Sequence, residues 1–440
     1  MRRLLRMQPP RRAGEYARRG AQALPKTCLR PSLLPYRDWH VSCIVSLGLV
    51  ATSASDQEAH MVSHQLMSAR PAPSLDNLPA SVPDPRRVAV LLNRNARRVN
   101  DALARRLERL CGGHLYYSRT LDEAAAFCRE MVQRGYGTIV CGGGDGTLMQ
   151  AVEQVNRYVD ESNAWRLSRL HRYGEVQRRL VAPRFAFLAL GTGNGLRRVV
   201  GAGDPIADLC TILEGPPLPS HRVPMIAAGD ARFVFGGLGY DSMLLDDYNW
   251  LRARTRGRLA RAAVQTVAGY FAALFLRTLP RLVRARPNLN VRLVTRAIAY
   301  YVDPRRGDAA IALPAGSVLY EGPVNMLGVG TTPYFGYGLR IFPFANLRPD
   351  MMHLRLATLG PWRTLAHLGS IWRGTYRNPT AILDFLVSDV QLELDRPFPF
   401  QHSGDSQGPV QTLAFKIAAS PLDLVDFHGA IGPVRAAPSR

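Results

Sequence analysis

Lysine is almost missing from this chain: the 56 basic residues include only two lysines, Lys26 and Lys416, and the rest are arginines. That shortage excludes two large classes of nucleotide-binding protein. A GxxxxGK[ST] phosphate loop and a protein-kinase fold each need a lysine beside the phosphates, and neither lysine stands beside a glycine loop. Glycine is absent where the first strand closes, at "NRNA", which removes the GxGxxG dinucleotide fingerprint. No apolar run approaches the ~20 residues that cross a bilayer. The six cysteines form no CxxC pair, which fits a reduced, intracellular setting. Acids are also scarce, 34 against those 56 bases, leaving a net charge of +22. Such a charge suits nucleotides, phospholipid surfaces or nucleic acid. No aromatic RNA-binding signature, zinc spacing or recognition-helix motif accompanies it, so no specific nucleic-acid partner is expected.

What is present divides along the chain. Residues 1–84 mix Arg, Pro, Ser and Ala without a sustained period and read as a disordered extension. Residues 85–218 alternate short aliphatic runs with amphipathic stretches, which predicts an α/β domain built on a parallel sheet, with Thr120 capping a helix. The segment "ESNAWRLSRLHRYGEVQRRLVAP" reads as a charged insertion within it. Residues 219–432 break into many short runs between Gly, Pro and Asp turns, which predicts a β-sandwich. A helical insertion over 252–286 interrupts it, apolar at its centre and arginine-rich at both ends, suited to lying on an anionic membrane. Residues 433–440 are a tail.

Two glycine loops carry the chemistry. In "VCGGGDGTLMQ" a buried strand runs into Gly142–Thr147 and then a helix. Successive glycines let backbone N–H groups, aided by the helix dipole, cradle an anion. Asp145 inside such a nest would oppose an anion directly, so its presence points to metal-assisted nucleotide chemistry. "LGTGNG" at Leu190–Gly195 repeats the strand, loop, helix order. Two such loops at neighbouring strand ends can close around one triphosphate, with backbone amides and arginines replacing the missing lysine.

With "GGDGT" at Gly143–Thr147, "LGTGN" at Leu190–Asn194, Asn93, "GLGYDS" at Gly237–Ser242 and "FPFANLRPDMMHLRL", residues 86–428 resemble the diacylglycerol kinase catalytic-domain family. The resemblance implies an ATP-binding α/β domain, a lipid-binding β domain, and phosphoryl transfer from Mg-ATP to a lipid hydroxyl at a cytoplasmic membrane surface. It implies nucleotide contacts from Asn93, Gly142, Gly143, Gly144, Asp145, Gly146, Thr147, Gly191, Thr192, Gly193 and Asn194, and a structural Mg²⁺ held by Asp350 with backbone carbonyls near Leu347 and Met352. Met351 replaces the glycine usual after that acid. Two further departures stand out. Gly195 replaces an acid after GTGN, and "QHSGDSQG" puts Ser403 where the family's D-G-E turn carries its base, leaving Asp405, with His402 as another candidate, to take that role beside Asp145. A family member that binds without turnover, or a NAD kinase sharing GGDGT, are the competing expectations. Homodimer formation is left open.

Overall fold

The computed structural model describes residues 74–191, 194–264, 266–284 and 289–428. Most of the expected N-terminal extension and the tail therefore lie outside the described residues, as do Thr192 and Gly193. Five parallel strands and one antiparallel edge make a six-stranded sheet, in the order Leu115–Ser118, Val88–Asn93, Thr138–Gly143, Arg184–Ala189, Leu422–Val425, Ser220–Val223. Val88, Ala89, Val90, Leu91 and Leu92 are all buried, as a strand covered on both faces requires. Asn100 and Thr120 cap the helices Asp101–Cys111 and Leu121–Gln133 by accepting the N–H of Leu103 and Glu123. The last two strands of this sheet come from residues after 218, so the chain leaves the α/β layer and returns to it at its end.

The segment read as a charged insertion begins as the second half of one 29-residue helix, Asp145–Tyr173, and ends in a loop and the short strand Arg179–Leu180. After Gly146 the helix contains no glycine or proline until Gly174, which ends it in the left-handed conformation. Buried Asn163 ties this half down by accepting the N–H of Leu180 and donating to its carbonyl. The expected helix over 252–286 also differs. A first helix, Tyr240–Arg254, already begins in the glycine-rich motif, and the remainder is broken into Arg258–Val264, Val267–Ala273, a π-helical turn Leu274–Thr278, and Leu279–Arg284.

The C-terminal region is a twelve-stranded antiparallel network rather than two separate sheets. It forks at the long strand Asp389–His402, whose first half pairs with Leu289–Thr295 and whose second half pairs with Phe235–Gly239. Side chains from both limbs, among them Phe233, Leu293, Leu327, Leu354 and Phe415, share one core, and the expected sandwich is replaced by this one large antiparallel sheet.

Within this sheet Asp384 is buried and accepts from Arg355 at 2.7 and 3.1 Å and from His353 Nε2 at 2.8 Å. Burial alone would raise its pKa, but Arg355 and then His353 outweigh burial and hold it well below the usual carboxylate range. A carboxyl with a depressed folded pKa stabilises above its unfolded pKa near 4, and that stability drains away as pH falls further. Asp384→Asn should cost about 3–5 kcal/mol in urea denaturation at pH 7, because Arg355 is left as a buried unpaired charge. The gap to wild type should narrow below pH 4.

Candidate active site

The two glycine loops meet at the C-terminal ends of adjacent parallel strands, the place where open parallel sheets bind ligands. Gly143 C=O accepts the N–H groups of Leu190 and Gly191 at 3.0 and 2.7 Å, and a side chain on Gly191 would collide with the Gly144 backbone. Only glycines permit this approach. Asp145 then locks the pair. It is the buried first residue of its helix, and its carboxylate accepts the N–H of Gly195 at 2.6 Å and of Leu196 at 3.2 Å. Burial raises its pKa, and the two backbone bonds oppose that rise. A side-chain carbon at position 195 would stand 3.4 Å from an Asp145 oxygen. The glycine that replaces the expected acid thus keeps a second negative charge off Asp145.

Asn93 braces the first loop from the neighbouring strand, donating to Thr147 Oγ1 at 2.9 Å. Asn194 turns through a positive φ of 42° and donates to Gly191 C=O at 3.1 Å, while its own Oδ1 is buried without a hydrogen-bond partner. The first three N–H groups of the helix starting at Asp145 have no acceptor within the helix, which leaves them for an anion.

The opposite wall is the hairpin between Asp389–His402 and Asp405–Ile417. Its turn residues Ser403 and Gly404 both have positive φ, 52° and 86°, the pattern of a tight two-residue hairpin. The hairpin tip reaches the first glycine loop: a carbon added to Gly146 would lie 3.6 Å from an Asp405 carboxylate oxygen and 3.8 Å from Ser403 C=O. Asp405 touches solvent, yet the protein around it desolvates its carboxylate enough to raise its pKa, with Arg252 opposing. Ser403 is buried and its hydroxyl has no partner. His402 stacks on Phe233, ring centroids 4.7 Å apart, and burial lowers its pKa, so it stands neutral in an aromatic layer.

The structure thus brings together Asn93, Gly142–Thr147, Gly191, Asn194 and Asp405. Asp350 stands apart, exposed in the turn before the strand Met352–Ala357. Among the described residues no group of three or more His, Cys, Asp or Glu side chains gathers to hold a metal. Asp350 is thus the only carboxylate of the expected Mg²⁺ site, and the other ligands expected there are backbone carbonyls near Leu347 and Met352.

The sequence pattern assigns Asp241 no role beyond its place in "GLGYDS". It follows the strand Phe235–Gly239 in the first turn of its helix, as Asp145 follows its own strand, and that repeated strand, glycine, acid order was the available signal. Its Oδ2 accepts from Gln401 Nε2 at 2.9 Å, its Oδ1 is buried and unpartnered, and Gln401 Oε1 accepts the N–H of Gly404 at 3.2 Å. Gln401 therefore links Asp241 to the hairpin turn.

Burial pushes Asp241 up to about 6. For a raised carboxyl the stabilising contribution is complete below the unfolded pKa near 4 and is lost as pH rises through about 6. Asp241→Asn should accordingly stabilise the protein by roughly 1–3 kcal/mol at pH 8 and by almost nothing at pH 4, measured by denaturation at both values. Equal effects at the two pH values would contradict a buried, ionising Asp241.

Residues 87–220 match the diacylglycerol kinase catalytic domain. No curated protein matches the chain. Among solved structures, a candidate diacylglycerol kinase from Bacillus anthracis str. Sterne superposes with a TM-score of 0.53 at 14% identity, covering 78% of this chain and 98% of that one. A second from the same organism gives 0.50 at 15% identity, covering 79% and 99%. At such identities the likeness shows the fold alone. A NAD kinase from Archaeoglobus fulgidus, in complex with ATP, reaches only 0.38 at 9% identity, covering 78% and 94%, and carries no argument. The family-model match is confined to residues 87–220, less than half of the chain.

Proposed function

We propose that the protein is an ATP-dependent lipid kinase that transfers the γ-phosphoryl group of Mg-ATP to the hydroxyl of a diacylglycerol-like lipid, working at a membrane surface. The observation that carries this reading is the approach of the Asp405 hairpin to Gly146, which sets a carboxylate against the mouth of the phosphate nest. Mg²⁺ arrives with the nucleotide as part of the substrate.

The amides at the start of the helix Asp145–Tyr173, with those of the second glycine loop, bind the phosphates. Asp145 acts by holding the second loop against the first, and each of its oxygens keeps a further lone pair. Asp405 takes the proton of the lipid hydroxyl as its oxygen bonds to the γ-phosphorus and the bond to the β–γ bridging oxygen breaks. The products are a lipid phosphate monoester and ADP. Its raised pKa makes Asp405 a stronger base than a solvated carboxylate. Because phosphoryl transfer depends mainly on positioning and charge neutralisation, a displaced base is compatible with turnover.

Ser403 favours the second reading, a relative that binds nucleotide or lipid without turnover, since a buried hydroxyl cannot serve as the base expected there. Incubation with γ-labelled ATP, Mg²⁺ and mixed micelles of diacylglycerol or ceramide separates the two. The kinase reading predicts labelled lipid, and nucleotide binding without label across the panel would replace it with the second. Asp405→Asn should lower kcat by about 100-fold with little change in the KM for ATP, and Ser403→Asp in that background should recover part of the loss. An unchanged rate in Asp405→Asn would remove it from the mechanism. The acid limb of kcat against pH should lie above the range of an ordinary carboxylate and disappear in the Asn variant.

A further inference from the structure

The helical segment that follows the Asp241 strand ends in a surface the reaction does not use. From Trp250 to Arg284 the sequence holds eight arginines and no acid. The nearest acid, Asp247, is buried and already held by Arg277 Nε at 2.5 Å, Arg281 Nη1 at 2.7 Å and Thr278 Oγ1 at 2.9 Å. Two guanidinium groups lie over the Trp250 ring, Arg254 at 4.3 Å and Arg277 at 4.1 Å from its centroid. Asp247, Trp250 and Arg277, with Ala273 and Leu276 among others, line a cavity of about 260 Å³.

Large apolar side chains stand beside this charge. Phe275 is 51% exposed and Leu276 is 74% exposed, both on the π-helical turn, with Val283 at 52% in the next helix. The short helix Pro361–Ala366 packs beside Leu279–Arg284 and adds Trp362, 63% exposed. A monomer in water has no use for a neighbouring Phe, Leu and Trp turned outward. Apolar tips and a tryptophan within a belt of arginines are what an interfacial element presents to a lipid surface.

We infer that Phe275, Leu276 and Trp362 enter the interfacial region of an anionic bilayer while Arg254, Arg277 and Arg284 meet lipid phosphates. Charge selects the occupant. A second copy of this face, or the arginine-rich start of the chain, would bring positive charge against positive charge. An acidic macromolecule would satisfy the arginines but leave Phe275 and Leu276 without an apolar environment. The surface also lies at a workable distance from the cleft. Trp250 is nine residues beyond Asp241 on the helix Tyr240–Arg254, roughly 14 Å at the helical rise. The inference rests on the lipid-kinase reading for its purpose, but binding can be measured without turnover.

The full-length protein is tested by co-sedimentation with vesicles of phosphatidylcholine alone and of phosphatidylcholine with phosphatidylglycerol. Binding should be at least about tenfold stronger to the anionic vesicles and should weaken with added salt. The double variant Phe275→Glu with Leu276→Glu should lose about tenfold or more, and the exposed Arg284→Glu about fivefold, with unchanged circular dichroism and thermal melting. Both variants should phosphorylate a detergent-dispersed short-chain lipid at the wild-type rate. Absence of vesicle binding, equal binding to neutral vesicles, or wild-type binding by the Phe275/Leu276 variant would overturn the inference. Self-association of the wild type that the same variant abolishes would overturn it in favour of a second copy. Vesicle binding that behaves as expected without any phosphoryl transfer would leave this inference standing and remove the kinase reading.

Discussion

The clamp between Asp145 and the amides of Gly195 and Leu196 is the constraint on which the candidate site depends. Two loops rich in glycine have little reason of their own to adopt one shape, because glycine loses more conformational entropy on ordering than any other residue. A buried carboxylate that must satisfy both oxygens supplies that reason, since leaving either oxygen bare would cost about 1–3 kcal/mol or more. The clamp therefore fixes the second loop against the helix that begins at Asp145. In the proposed phosphate site the binding groups are therefore ordered amides rather than a mobile lysine side chain.

The two departures from the expected pattern have structural consequences. Gly195 gives its amide to Asp145 at a point where an added acid would bring like charges together. Ser403 occupies a turn position with positive φ, where aspartate or asparagine would sit with less strain, so the usual aspartate would have served the hairpin as well as the chemistry. Serine keeps the turn but cannot accept a proton at neutral pH, and Asp405 stands two residues further on, beside the phosphate loop. The Gln401 amide ties this turn to Asp241, so the hairpin tip is held from below by the same helix whose far end carries the arginine and tryptophan surface.

Much of this was legible because it is local. Strand, glycine loop and helix follow one another within a few residues at Gly142–Thr147 and Leu190–Gly195, and the turn residues of the hairpin are contiguous. What escaped was set by contacts distant in sequence. Nothing near Asp145 announces that its partners are Gly195 and Leu196, and nothing near Asp241 announces Gln401. The return of Leu422–Val425 to the first sheet depends on pairing with Arg184–Ala189, far back in the chain. The second half of the helix ending at Tyr173 was misread because its charged face obscured the absence of any breaker. Asp350 is placed by resemblance alone, and the structure leaves it exposed, with no cluster of acidic, His or Cys side chains beside it among the described residues.

A crystal structure of the protein with Mg²⁺ and a non-hydrolysable ATP analogue tests the central claim most directly. The account predicts phosphate oxygens on the amides that open the helix Asp145–Tyr173, the γ-phosphate facing Asp405, and the Asp145 carboxylate still bonded to Gly195 and Leu196. A nucleotide bound elsewhere, or an Asp145 carboxylate that leaves the second loop when the nucleotide binds, would contradict it.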